Sequence, residues 1–260
     1  MHTSLLYGDM SYWLIIIVSL VLGGLTQAYI KRTYARWSAV PASSGQTGAE
    51  VARRMLDAEG ASFVGIGSVA GHLTDYFDPR DSMLHLSPEN SGGGSVASVA
   101  VACHEAGHAV QTARGYLPGR IRTTLVPVVN FTSNAWGIVL LTGILLNFLG
   151  LMRLAVFLFA FTVLFQLVTL PVEIDASRRA VAFLGSNGGG IDQRGARQVL
   201  TAAALTYVAS ALVSVMQLLY YMGRVNSRAT TDRGVRTPDA HGRTACAPVR
   251  ARPSWRTCPR

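Results

Sequence analysis

Residues 95–113 read SVASVAVACHEAGHAVQTA, and the fold and chemistry of the chain follow from how this stretch is read. It contains no proline and a single glycine, Gly107, is rich in Ala and Val, and follows the breaker Gly92-Gly93-Gly94 with Ser95 in position to cap a helix. The pattern predicts an α-helix over 95–113. Residues four apart on a helix lie one above the other, so His104 and His108 present their imidazoles on one face. Two imidazoles suit Zn2+, and with a third protein ligand they leave one coordination position open, which distinguishes a catalytic site from a structural one. Glu105 falls beside that face without joining it, placed to take a proton from water and return one to a leaving amine. His104 and His108 are therefore the expected metal ligands and Glu105 the expected catalytic base.

Composition narrows the search for a third ligand. Glu173 is the only glutamate after Glu105, and the only histidine after His108 is His241, in an Arg-rich tail. Upstream, the candidates are His72 and His85, with Asp75, Asp78 and Asp81 nearby. Glu173 lies in LPVEIDASRRA, residues 170–180, which reads as a helix beginning at the exit of an apolar run. Glu173 is the preferred third ligand. Asp175 is the alternative, because a carboxylate two residues along a helix points elsewhere and serves only if the segment is irregular.

Only 14% of the chain is charged, against a usual quarter, and the deficit is concentrated in blocks. Residues 11–30, 123–152, 154–172 and 199–223 carry no charge at all. Each can hold the roughly 20 apolar residues that a bilayer core of about 30 Å demands. The expected fold is mainly α and integral to the membrane, with about four transmembrane helices near 12–30, 127–149, 154–171 and 202–222. A small α+β, zincin-like cytoplasmic portion would carry the 95–113 helix. The first block lacks a basic leader and is followed by Lys31, Arg32 and Arg36, so it reads as an uncleaved anchor that leaves 31–122 in the cytoplasm. Spans two and three form a tight hairpin about 150–153, which returns Glu173 to the side of His104 and His108. Arg178, Arg179, Arg194 and Arg197 lie on that side too. A fourth span puts the basic tail outside, against the charge bias, and an interfacial or re-entrant 202–222 helix is the alternative. The expected organisation is an anchor over 1–30, a membrane-embedded catalytic domain over 31–224 and a disordered tail over 225–260.

The tail from 226 to 260 holds eight Arg and two Asp, six of the formal +9, and has no apolar periodicity with which to fold. The basic balance thus says little about substrate, and no nucleic-acid partner is expected. Cys103, Cys246 and Cys258 form no disulfide framework, and Cys103 reads as a buried reduced thiol. In the cytoplasmic portion, Thr47 and Glu50 match a capping box and Val51, Met55 and Leu56 form an apolar stripe, predicting a short surface helix ending near Gly60. Residues 63–66 and 83–86 lean towards β and flank a polar turn over 74–81, which suggests an antiparallel hairpin. Residues 83–86 are a candidate for the exposed edge on which zinc peptidases hold extended substrate, although a strand that simply packs on the 95–113 helix carries more weight. His85 reads as a strand-face residue and Asp75, Asp78 and Asp81 as turn caps.

Four stretches, SGQTGAEVARRMLD (44–57), LTDYFDPR (73–80), SVASVAVACHEAGHAVQ (95–111) and LPVEIDASRRA (170–180), make the chain resemble the YugP-like membrane neutral zinc metallopeptidases over about 12–224. The resemblance implies a gluzincin-type protease of the bacterial inner membrane, multi-pass, with one Zn2+ per chain held by His104, His108 and Glu173, and Glu105 as base. It also implies a protein or peptide substrate, and the charge bias has the active site facing the cytoplasm. More distant membrane gluzincins carry an aspartate four residues after the ligand glutamate, where this chain has Ser177. Two other readings stand beside the metalloendopeptidase: a membrane scaffold with a structural zinc site, and a protease that cuts within the bilayer, for which 95–113 would have to lie in a span.

Overall fold

The computed structural model describes residues 10–236, with side chains to residue 230. In chain order its elements are α1 (Met10–Ser38), α2 (Gly48–Ala58), β1 (Gly65–Ser68), β2 (Tyr76–Asp78), β3 (Met83–Leu86), α3 (Pro88–Ser91), α4 (Val96–Ala113), α5 (Leu117–Leu145), α6 (Leu149–Asn187) and α7 (Gly190–Arg236). The fold is mainly helical with one small sheet. Helices α1, α5, α6 and α7 are long and apolar enough to cross a membrane, and α4 is not among them.

Helix α4 forms where its sequence predicts. Ser95 caps it by accepting from Ser98 N at 3.1 Å. Its Ala-rich faces are buried against α2, α6 and α7, in a core that includes Met55, Leu56, Leu84, Leu86 and Val110. Helix α2 opens with the anticipated reciprocal cap, Glu50 N donating to Thr47 Oγ1 and Thr47 N to Glu50 Oε2. The segment between α1 and α2 is laced to the start of α4 by Val96 N to Val40 O and Ala42 N to Gly94 O, both 2.8 Å, and to α7 by Ser43 N to Asp192 Oδ1 at 3.0 Å.

The strand order is β1-β3-β2. The anticipated antiparallel pairing of 63–66 with 83–86 is thus corrected: β1 and β3 run parallel, and the antiparallel partner of β3 is β2, drawn from the stretch read as a turn. The chain from 69 to 75 is long enough to carry β2 across to the far side of β3, and the reversal is made at 79–82, where Ser82 adopts φ 54°. With both edges paired, β3 cannot offer an edge to substrate. The edges are β1 and β2.

The hairpin between α5 and α6 turns at 146–148, with Asn147 at φ 49°, a few residues earlier than anticipated. Residues 170–180 do not begin a helix. Helix α6 runs unbroken through Pro171 for 39 residues, about 58 Å at 1.5 Å per residue, roughly twice a bilayer core. Helix α7 is likewise continuous and extends through 225–236, where the sequence suggested a disordered tail. The rest of that tail, with His241, Cys246 and Cys258, lies outside the described residues.

Gly107 is where α4 and α6 come closest, and a Cβ there would sit 2.8 Å from Ala176 O and 3.1 Å from Ala176 Cα. Backbone on both sides leaves no flexible group to yield. Gly107→Ala is expected to force the two helices apart at a cost of about 1–3 kcal/mol, read as a lowered thermal midpoint of the purified protein in detergent.

Candidate metal centre

Helix α4 carries His104 and His108 one turn apart, and α6, packed across Gly107, carries Glu173 to meet them. Glu173 is only 3% exposed. Its Oε2 lies 3.3 Å from His104 Nε2 and 3.6 Å from His108 Nε2, and the two imidazole planes stand at 81°. Among the described residues this is the one group of three or more His, Cys, Asp or Glu side chains able to share an ion.

The donor set fits Zn2+. Tetrahedral N and O ligands at about 2.0–2.1 Å from zinc are separated from one another by about 3.3 Å, close to what the carboxylate and the imidazoles already show. The remaining ring nitrogens confirm the orientation. Gln111 Nε2 donates to Val172 O at 2.8 Å and to Asp175 Oδ2 at 2.9 Å, so its Oε1 must be the atom that faces His108 Nδ1 at 3.1 Å. That acceptor places the proton on Nδ1 and leaves the Nε2 lone pair turned towards Glu173. Ser177 Oγ stands 3.2 Å from His104 Nδ1 and can act in the same way. Asp175 is held by Arg179 Nε at 2.7 Å.

Asp175, the alternative ligand, is therefore not in the cluster but supports it through Gln111. The upstream candidates are also engaged elsewhere. His72 Nδ1 pairs with Glu89 at 2.5 Å, and His85 lies 3.2 Å from Asp81 and stacks on Tyr76. Asp75 accepts from Ser87 N, Ser87 Oγ and Asn90 Nδ2, and Asp78 pairs with Arg80. Cys103 is buried and free, its thiol pushed up by burial.

Glu105 accepts no hydrogen bond among the described residues. Burial raises its carboxyl above the usual carboxylate range, opposed by the imidazoles of His104 and His108. A carboxylate held more basic than usual is suited to taking a proton. Three further residues complete the surroundings without having been singled out in sequence. Gln111 is one, detectable as a polar side chain three residues from His108 on the same helical face. Arg122 reaches Glu173 Oε1 with its Nη2 at 3.8 Å, and Tyr207 of α7 stands beside Glu173. Neither of these carries a local signal.

The cluster opens on two sides. A cavity of about 640 Å³ is lined by His104, Glu105, His108, β2 and the start of α5 with Arg120 and Arg122. A second, of about 730 Å³, lies between α1 and α7, and His104, Glu105, Glu173 and Tyr207 are part of its wall as well.

Residues 12–226 match the family described as "Putative neutral zinc metallopeptidase". "Putative membrane protease YugP" of Bacillus subtilis (strain 168) is 43% identical over 208 residues, covering 79% of this chain and 92% of the relative. No solved structure matches. With this relative and four apolar helices long enough to cross, the chain is a multi-pass membrane protein.

Glu173→Ala is expected to abolish stoichiometric zinc binding, measured by elemental mass spectrometry of the purified protein. Gln111→Ala, which frees the His108 ring, is expected to weaken zinc affinity by about ten- to a hundredfold, measured by chelator competition.

Proposed function

We propose that this chain, which belongs to the neutral zinc metallopeptidase family, is an endopeptidase that hydrolyses peptide bonds of membrane or membrane-proximal proteins. His104, His108 and Glu173 would hold one Zn2+, and Glu105 would be the general base. The observation that carries this reading is a carboxylate, Glu105, standing beside a His-His-Glu donor set in the wall of open cavities. When bound, Zn2+ supplies a Lewis acid that acidifies water and polarises a carbonyl oxygen. Glu105 takes the proton from the attacking water and delivers it to the departing amine nitrogen. The Tyr207 phenol, in the wall of both cavities, donates to the oxyanion that develops on the carbonyl oxygen. Arg122 holds Oε1 of Glu173, leaving Oε2 turned to the imidazoles. The edge strand β2 contributes Tyr76 and Phe77 to the first cavity and can align an extended substrate through main-chain hydrogen bonds.

The charge pattern supports an active site at the membrane surface. Lys31, Arg122, Glu173 and Arg197 each stand at or next to the end of an uncharged run, so the cluster sits at the rim of the apolar band rather than within it. The basic residues in the last turns of α1, Lys31, Arg32 and Arg36, and those around Arg178 and Arg194 favour the cytoplasmic side of a bacterial inner membrane. Helix α4 lies outside the candidate spans, which separates this reading from cleavage inside the bilayer.

Glu105→Gln is expected to keep its zinc and lose proteolysis, scored by comparing membrane proteomes of cells carrying the native and substituted chains. Undiminished cleavage by the Glu105→Gln protein would sink the mechanism, and bound zinc with no change in any substrate would point to a scaffold. Tyr207→Phe is expected to lower kcat by about a hundredfold with little change in KM, in steady-state assays on a cleaved peptide.

A further inference from the structure

The two cavities that meet at the cluster differ in chemistry. The first is bordered by Asp75, Thr112, Arg120, Arg122 and Thr123, and faces the polar side of the molecule. The second shares Asp75 with the first and includes Lys31 and His72, but much of its wall is apolar, formed by Ile30 of α1, Val101 of α4, and Leu200, Ala203 and Ala204 of α7. Its depth can be read from helix register. Trp37 Nε1 donates to Gln198 Oε1 at 3.0 Å, so the end of α1 and the start of α7 lie at the same level while the helices run in opposite directions. From Val199 to Tyr207 the cavity follows α7 for about 12 Å, within the uncharged run that begins at 199. On α1 it passes below Lys31 to Gln27. The second cavity therefore starts at the level of the charged rim and descends into the apolar band.

Resting on the peptidase reading, we propose that the substrate is a membrane-anchored polypeptide that occupies both cavities at once. The end of its apolar transmembrane segment fills the α1/α7 cavity, its polar flank fills the Arg120/Arg122 cavity, and the scissile bond lies between them at Glu105. Because His104, Glu105 and Glu173 belong to both walls, a chain passing from one cavity to the other must cross the reacting groups. A cavity about 12 Å deep accommodates about four residues of extended chain at 3.3 Å each. Along the α7 wall of Leu200, Ala203 and Ala204, a charged or strongly polar stretch would be desolvated with few partners, and an apolar one is favoured. The guanidinium groups of Arg120 and Arg122 favour acidic residues on the other side. Lys31, at the rim of the second cavity, excludes neither half, because it can extend to the surface while its stem covers apolar contacts.

The test uses the full-length Glu105→Gln protein in phosphatidylethanolamine/phosphatidylglycerol vesicles, so that capture does not require turnover. The probe is a polypeptide with one Leu/Ala transmembrane helix of about 20 residues followed by a hydrophilic, acidic flank. A photoreactive side chain placed at Ala203 is expected to crosslink the apolar end of the probe, and one at Thr123 the acidic flank. A reporter at Thr206, on the same wall as Ala203, covers the case in which the bulky group at 203 prevents insertion. Capture of the acidic flank at 203 and 206, capture of phospholipid acyl chains alone there, or no capture of the apolar end while Thr123 still captures the flank would each overturn the proposal. If the crosslinks form as expected but the unsubstituted protein never cuts the probe, substrate placement is supported and the peptidase reading is what fails.

Discussion

The rest of the site depends on the contact of α4 with α6 across Gly107. Because that position lacks a Cβ, the backbone at Ala176 can approach to within van der Waals range, and Glu173, one turn before it, arrives at the two imidazoles. A buried carboxylate is costly unless charges or hydrogen bonds compensate it. Here compensation comes from His104, His108 and Arg122, all supplied by other elements, so the carboxylate is a point at which α4, α5 and α6 must agree. The same contact sets the supporting bonds, since Ser177 and Asp175 stand on α6 and their partners His104 and Gln111 on α4.

Those supporting bonds account for the serine at 177. Its hydroxyl, 3.2 Å from His104 Nδ1, serves one imidazole, and the Asp175 carboxylate, two residues earlier on α6, acts on the other through Gln111. Each ring is thus oriented by a neutral side chain rather than by a carboxylate bonded directly to it. Arg179, four residues along from Asp175, balances that carboxylate.

What could be read in the sequence was what local rules govern. The cap at Ser95, the absence of proline and the spacing of His104 and His108 are properties of one helix, and Glu173 was singled out because no other glutamate follows and because a hairpin returns it. Long-range pairing was less accessible. Residues 63–66 and 83–86 have strand character whichever way they run, and nothing in either says that Tyr76–Asp78 will take the antiparallel place beside β3. Pro171 invited reading a new helix, since proline favours a first turn. Inside an apolar bundle a proline is tolerated within a long helix because packing against neighbouring helices outweighs the one lost backbone bond, and α6, packed against α5 and α7, continues through Pro171. Arg122 and Tyr207 matter only through where α5 and α7 are packed, which no local pattern encodes.

The unbroken course of α6 has a consequence for biosynthesis. The three candidate ligands are divided between a helix outside the candidate spans and one whose first half is apolar enough to cross, so a nascent chain that has exposed His104 and His108 still lacks the Glu173 carboxylate that meets them. Completion waits until the α5–α6 hairpin has crossed the bilayer and α6 has docked on α4. A nascent chain thus carries no assembled His-His-Glu cluster until the long apolar helices have packed against α4.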